Sequence, residues 1–331
     1  MIRRLIEAAI TMFIAIVAVF FMIHLVPGDP AQTMLGEKAT PEAIAAIRSD
    51  LGLDQPLLIQ LGNFFKRFAH GDWGRSIRSG RPVLDELRER TPATLELSVL
   101  SLMISVVVGI LLGIFAARKP GGWTDFILGA ISVFGLSIPI FFLGLLLVLL
   151  FGLKLGWFPL SGRLSYAVPY EPWTGFILLD SILQRDADLF AAGLSHLFLP
   201  AVTLATVPLS LLSRLTRSSL LDCLKADYIR TARAKGQSEF LIFLKHGLRN
   251  ALLPVITMTG YQFGLLLGGA ILTENVFAWP GLGRWIVFAV EGRDYPAVQG
   301  AVLFFVAGII TVMTVTDLVH QWVDPRLRTS L

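Results

Sequence analysis

Ten consecutive residues have the types and spacing to bind another protein: Asp227-Tyr228-Ile229-Arg230-Thr231-Ala232-Arg233-Ala234-Lys235-Gly236. Thr231, Ala232 and Ala234 give a helix with a small-residue surface, and Gly236 is placed to stop it. Such a helix enters a groove in a partner with its backbone close to the groove wall. The chemistry on offer is docking, set by shape and a few charges. The same residues also admit a segment resting on anionic lipid, or an ordinary solvated loop. A lipid-surface helix favours Trp, Phe or Leu, whereas Ala and Gly stand here.

The other reactive side chains form no catalytic or metal-binding pattern. No G-x-x-x-x-G-K-[ST] is present, so the chain has no loop to cradle the phosphates of ATP. H-E-x-x-H is also missing, and a Ser in a G-x-S-x-G setting inside a span is not found. The five histidines (His24, His70, His196, His246 and His320) lack ligand spacing, so no metal site is expected. The single cysteine, Cys223, excludes an intrachain disulfide and reads as a small apolar residue. Glu96 reads as a first-turn acid favoured by a helix dipole, with a proton relay as the alternative. No enzymatic activity and no bound cofactor are expected.

The elements that position the docking segment are membrane spans. Hydrophobic residues make up 54% of the chain and charged residues 16%, against about a quarter charged in soluble domains. Charge is excluded from six windows of the length needed to cross a bilayer: Leu5–Val26, Thr94–Ala117, Phe126–Leu153, His196–Ser213, Leu252–Leu272 and Ala301–Val319. The expected fold is an all-α integral membrane protein with six transmembrane helices. Arg3 and Arg4 before an apolar run also suit a signal peptide, but no small-x-small cleavage site follows and an uncleaved anchor is expected. Val26-Pro27-Gly28-Asp29-Pro30 is a helix stop.

Lys and Arg set the orientation. Arg3, Arg4, Arg118, Lys119, the dense set from Arg214 to Arg249, and Arg326 and Arg328 fall on one side, which places both termini in the cytoplasm. The net charge of +4 thus reflects retained cytoplasmic loops. Without an aromatic-interleaved basic stripe, nucleic acid is not an expected partner. Residues 1–26 form the first span, 27–91 an outer amphipathic region, and 92–331 a core of five spans that holds the cytoplasmic loop 214–251.

Within the outer region, Pro41–Leu51 has Ile44, Ile47 and Leu51 at helical spacing, and Pro56–Phe68 places Leu57, Leu58, Leu61, Phe64, Phe65 and Phe68 on one side of a second amphipathic helix. Thr91-Pro92 suits an N-cap followed by a first helical residue, opening the second span. Pro139 in the third span and Pro200 and Pro208 in the fourth are kinks, either in the core or lining a pore. Gly260, Gly264 and Gly268 recur every four residues and make a seam for close helix packing.

Several segments, in order along nearly the whole chain, resemble one family. VPGDP ends the first span, LGLDQPLLIQ and GDWGRSIRSGRPV fill the outer loop, and TPATLELSVLSL opens the second span. SIPIFFLGLLL, LGWFPLSGR, TARAKG, HGLRNALLP, FAWPGLGR, RDYPAVQG and DPRLR follow. Together they resemble the permeases of ATP-binding-cassette importers, in the peptide/nickel group. The general importer signature has Glu-Ala-Ala, then Gly, then Leu-Pro. Here Arg230 and Thr231 stand at the Glu and first Ala, and Leu253-Pro254 lies further from Gly236, a variant similar to that group.

The resemblance implies that the helix around Tyr228–Gly236 couples to an ATPase subunit, which hydrolyses the ATP. It implies a second homologous permease subunit, two ATPases, an extracytoplasmic solute-binding protein and a place in the bacterial inner membrane. Di- or oligopeptides are the implied cargo, with nickel complexes or glutathione as alternatives. An ion-coupled secondary transporter would need internal repeats and mid-span charges, and a membrane-anchored scaffold would not need the docking helix.

Overall fold

The computed structural model describes residues 2–24, 31–32, 40–52 and 54–323. These residues are helical or irregular, with no strand among them beyond an isolated bridge between Arg75 and Pro82. The stop Val26–Pro30 lies outside them, and so do Arg326 and Arg328. The helices are α1 (Ile2–His24), α2 (Pro41–Leu51), α3 (Leu57–Ala69), α4 (Val83–Arg118), α5 (Trp123–Ser137), α6 (Ile140–Leu147) and α7 (Ile177–Gln184). They continue with α8 (Ala187–Lys225), α9 (Asp227–Ala234), α10 (Glu239–Leu241), α11 (Arg249–Val276), α12 (Leu282–Glu291) and α13 (Tyr295–Val323).

Two compact units are present: Met1–Pro92 with Pro280–Ile310, and Ala93–Trp279 with Thr311–Leu331. In the first, Val83 and Leu87 pack with Leu282, Trp285, Ala289 and Ala301. Phe64, Phe65 and Phe68 of α3 pack against Ile16, Val19 and Leu303, which is the apolar side expected of that helix. Leu57 and Leu58, expected on the same side, are exposed. Gln299 Nε2 donates to the Val19 carbonyl at 2.9 Å, tying α13 to α1.

In the second unit α8 is the central helix, in contact with α5, α6, α7 and α11. Asp186 caps it by accepting from the Leu189 N–H at 2.9 Å. Pro200 and Pro208 are both buried within its unbroken 39 residues, whereas the sequence reads as a short, interrupted span. Surrounding helices hold α8 together where an isolated helix would break. Pro139 does the opposite. Ile138 before it is extended at ψ 128, as the residue before a proline prefers. The helical directions on either side differ by 104°.

The second span does not begin at Thr91-Pro92. Pro92 lies inside α4, and Thr91 Oγ1 donates to the Leu87 carbonyl at 2.6 Å instead of capping. Burial of Val83 and Leu87 draws the preceding turns into the helix. Four helical stretches of the described residues are long and apolar enough to cross a membrane, or five if the bent pair α5–α6 counts as one span. Ile6–Met22 of α1 is apolar but shorter.

Candidate functional site

The docking segment is a hairpin between α8 and α11. The chain leaves α8 at Ala226, which is extended, and turns at once into α9. After Ala234, Lys235 N–H donates to the Thr231 carbonyl and Gly236 N–H to that of Arg233, closing the end of the helix. Gly236 has φ +73, a conformation that glycine adopts without strain, so its place as the stop follows from its lack of a Cβ. Ser238 then caps the return helix by accepting from the Leu241 N–H.

The two faces of α9 differ. Ile229 and Ala232 are buried against Ile242 of the returning chain. Asp227, Tyr228, Arg230, Thr231, Arg233, Ala234, Lys235 and Gly236 are exposed. Ala232 is therefore small for the hairpin's own packing, and Ala234 is the small residue of the free face. The turn is braced by Arg233, which makes two hydrogen bonds to Glu239 at 2.7 and 3.1 Å. His246 Nε2 lies 2.8 Å from Gln237 Oε1. The Arg230–Asp227 contact, at 3.4 Å between highly exposed groups, adds little.

The returning chain, Ile242–Leu248, is a π-helical turn that runs into α11 without a break. A Cβ on Gly247 would come within 3.0 Å of Leu224 and 3.4 Å of Leu220, so glycine allows α8 to approach here. Leu220, Ala251 and Ala117 form the apolar base of the hairpin. Arg217 grips Asp125 through hydrogen bonds of 2.5 and 2.6 Å, which ties α8 to the start of α5.

Of the glycine seam, Gly260 faces α13, where an added Cβ would collide with the Thr316 side chain. Gly264 is buried, and Gly268 is exposed with nothing within 4 Å of its Cβ position. Pro139, Pro200 and Pro208 occupy the bend and the central helix described above.

Sequence reasoning missed a tighter seam. Ser101, Ser105, Gly109 and Gly113 also recur every four residues along α4. Ser105 Oγ donates to the Ala205 carbonyl of α8, and the two glycines meet α8 at Leu209, Ser213 and Thr216. The spacing was legible, but its partner was not. It also missed the carboxylate contacts of Glu96. That residue is not in a first turn: it accepts from Arg163 Nη2 at 2.7 Å and from the Leu178 N–H at 2.7 Å, so it caps α7 rather than its own helix. Asp180 is another unforeseen node, receiving Tyr170 Oη, Thr174 Oγ1 and the N–H groups of Trp173 and Thr174.

Long apolar helices around a proline-bearing central helix, with one basic hairpin between α8 and α11, suit a multi-pass membrane protein. Residues 109–329 match the family described as "Binding-protein-dependent transport system inner membrane component", and residues 1–98 match its N-terminal counterpart. The chain belongs to this family: it is an inner-membrane permease subunit and not an enzyme. A dipeptide transport system permease protein of Alkalihalophilus pseudofirmus is 41% identical over 94% of this chain and 94% of its own length. A glutathione transport system permease protein of Escherichia coli (strain K12) is 41% identical over 99% of this chain and 98% of its own. An inward-facing structure of a methionine ATP-binding-cassette transporter superposes with a TM-score of 0.51 at 18% identity, covering 70% of this chain and 93% of that one. It shares the fold. A transport system of this kind implies a solute-binding protein and ATPase partners.

Proposed function

We propose that the chain carries di- or oligopeptides into the cytoplasm by alternating access, with α9 as the helix through which partner ATPases move it. The observation that carries this reading is the division of α9: Ile229 and Ala232 are packed into the hairpin, while Tyr228, Thr231 and Ala234 are exposed to a partner groove. The peptide cargo follows from the names of relatives matched end to end, a dipeptide and a glutathione permease. Nickel complexes are the alternative cargo.

In this reading six spans cross the membrane with both termini in the cytoplasm. The anchor is α1, the bent pair α5–α6 is one span, and the others lie in α4, α8, α10–α11 and α13. Residues 27–91 stand outside, and 92–331 form the core with the cytoplasmic hairpin in 214–251. A second homologous permease completes the pore, with the bend at Pro139 on its lining. Open space at Gly268 suits a neighbouring helix from that second subunit. Two ATPases bind the hairpins and an extracytoplasmic binding protein delivers the cargo.

Ala234→Trp tests the assignment, because it alters the free face and leaves Ile229, Ala232 and Ile242 untouched. The variant should insert and keep its thermal stability, while ATP-driven uptake of labelled dialanine falls about tenfold or more, as loss of an interface anchor would cause. Uptake at the native rate would sink the coupling role. Uptake of nickel without uptake of any peptide would reassign the cargo.

A further inference from the structure

The unit formed by Met1–Pro92 and Pro280–Ile310 holds a cavity of about 390 Å³ lined by Arg78, Glu86, Arg90, Trp285, Phe288 and Asp294, among others. Its two buried carboxylates are in opposite states. Asp294 accepts from Ser76 Oγ at 2.5 Å and from the N–H groups of Ile77 and Arg78 at 3.1 and 3.3 Å. The chain itself satisfies it. The Glu86 side chain is only 4% exposed, yet no hydrogen bond reaches its carboxylate among the described residues.

The nearest cation to Glu86 is Arg90 Nη1 at 3.8 Å, beyond hydrogen-bonding distance. That guanidinium is engaged elsewhere. It donates to the Glu86 main-chain carbonyl at 3.1 Å and lies 5.5 Å from the centre of the Trp285 ring. The Glu86 oxygens are not sealed in protein but open onto the cavity, so a donor entering it can bind them. Arg78 supplies an exposed cation at the edge of the same cavity. Its guanidinium lies against Gly292, with Nη1 3.7 Å from that residue's Cβ position.

The signs of these groups narrow the ligand. A simple acid drawn to Arg78 would face Glu86, and a simple amine drawn to Glu86 would face Arg90. A molecule that carries both charges on separate atoms sets an attraction to a cavity group of opposite sign against each repulsion. We propose that the cavity binds a small peptide-like zwitterion, its ammonium on Glu86, its carboxylate on Arg78 and its side chain against Trp285 and Phe288. The volume lies near the lower end of small-molecule pockets, about 300–1,000 Å³, which suits an amino acid or dipeptide. The choice of a peptide among zwitterions rests on the import reading above. The cavity then offers the cargo a station before the pore.

Equilibrium dialysis of labelled dialanine against the full-length chain in lipid nanodiscs tests this, with N-acetyl-dialanine and dialanine amide as competitors. Native chain should bind dialanine saturably and better than either blocked form. Glu86→Gln should weaken dialanine about tenfold or more and abolish discrimination against the N-acetyl form, and Arg78→Gln should do the same for the amide, as loss of a charged contact predicts. Arg78 is exposed, so its variant decides the matter even if Glu86→Gln fails to fold. Absence of saturable binding, or native binding by Arg78→Gln, overturns the proposal. Variants that bind normally but lose stimulation by the binding protein would overturn it too, making the cavity a docking patch. ATP-driven peptide uptake by an assembled system whose permease binds no dialanine would refute this site alone. Binding without any peptide uptake would refute the import reading instead.

Discussion

Glu96 holds together parts of the chain that are far apart in sequence. Its carboxylate pairs with Arg163, 67 positions away, and caps α7, 82 positions away. Both side chains of the pair are largely buried, at 13% and 7% exposure. Removing one partner of such a pair costs about 3–5 kcal/mol, much of it the charge left alone. Glu96→Ala and Arg163→Met should each destabilise detergent-solubilised protein by about that amount, and the double variant should recover part of the loss. Strictly additive losses in chemical denaturation would show that they do not act as a pair. Asp180 is held differently. Burial pushes its pKa up, but hydrogen bonds from Thr174, Tyr170 and the backbone N–H groups of Thr174 and Trp173 outweigh that and hold it below the usual carboxylate range. Because its folded value lies below its unfolded one, the stabilisation is complete above about pH 4 and is lost as pH falls through the folded value. Protease resistance of residues 170–176 should therefore be flat from pH 8 to about 5 and fall only in stronger acid. Asp180→Asn should loosen the loop at neutral pH and remove the acid step. A transition near pH 6 would contradict this account.

The packing of helices depends on which small residues meet a neighbour. A Cβ on Gly113 would lie 2.6 Å from Thr216 Cβ and 2.7 Å from the Ser213 carbonyl, while one on Gly129 of α5 would meet nothing within 4 Å. Gly113→Ala should cost about 1–3 kcal/mol through overpacking. Gly129→Ala should be neutral or stabilising by up to about 1 kcal/mol, the usual helix preference for Ala. The reverse order in thermal unfolding would contradict the α4–α8 seam. Four-residue spacing of small residues marks a helix able to pack closely, yet it fits both this seam and Gly260–Gly268. Only the neighbours separate them: Gly260 meets Thr316, and Gly268 meets open space. Prolines follow the same rule. Pro200 and Pro208 are buried in a helix held on several sides, whereas Pro139 is exposed at a sharp bend.

At the scale of the molecule, the proposed topology puts the end of α3 outside the cell. A single cysteine at exposed residue 70, introduced by His70→Cys with Cys223→Ser, should react with an impermeant maleimide in outer-membrane-permeabilised cells. Failure to label would overturn the orientation. The membrane class was decided by the sequence alone, because hydrocarbon excludes charge from any segment that crosses it. So was the family, through the order of its motifs, and with the family the implied ATPase partners. Local chemistry also placed the stop at Gly236. The tertiary structure decided which side of α9 is free, since Ala232 and Ala234 are equally small and only the return of Ile242 distinguishes them. It also decided the partner of Glu96, the start of α4 and the fate of each proline. Those outcomes depend on contacts between residues far apart in the chain, which local spacing cannot encode.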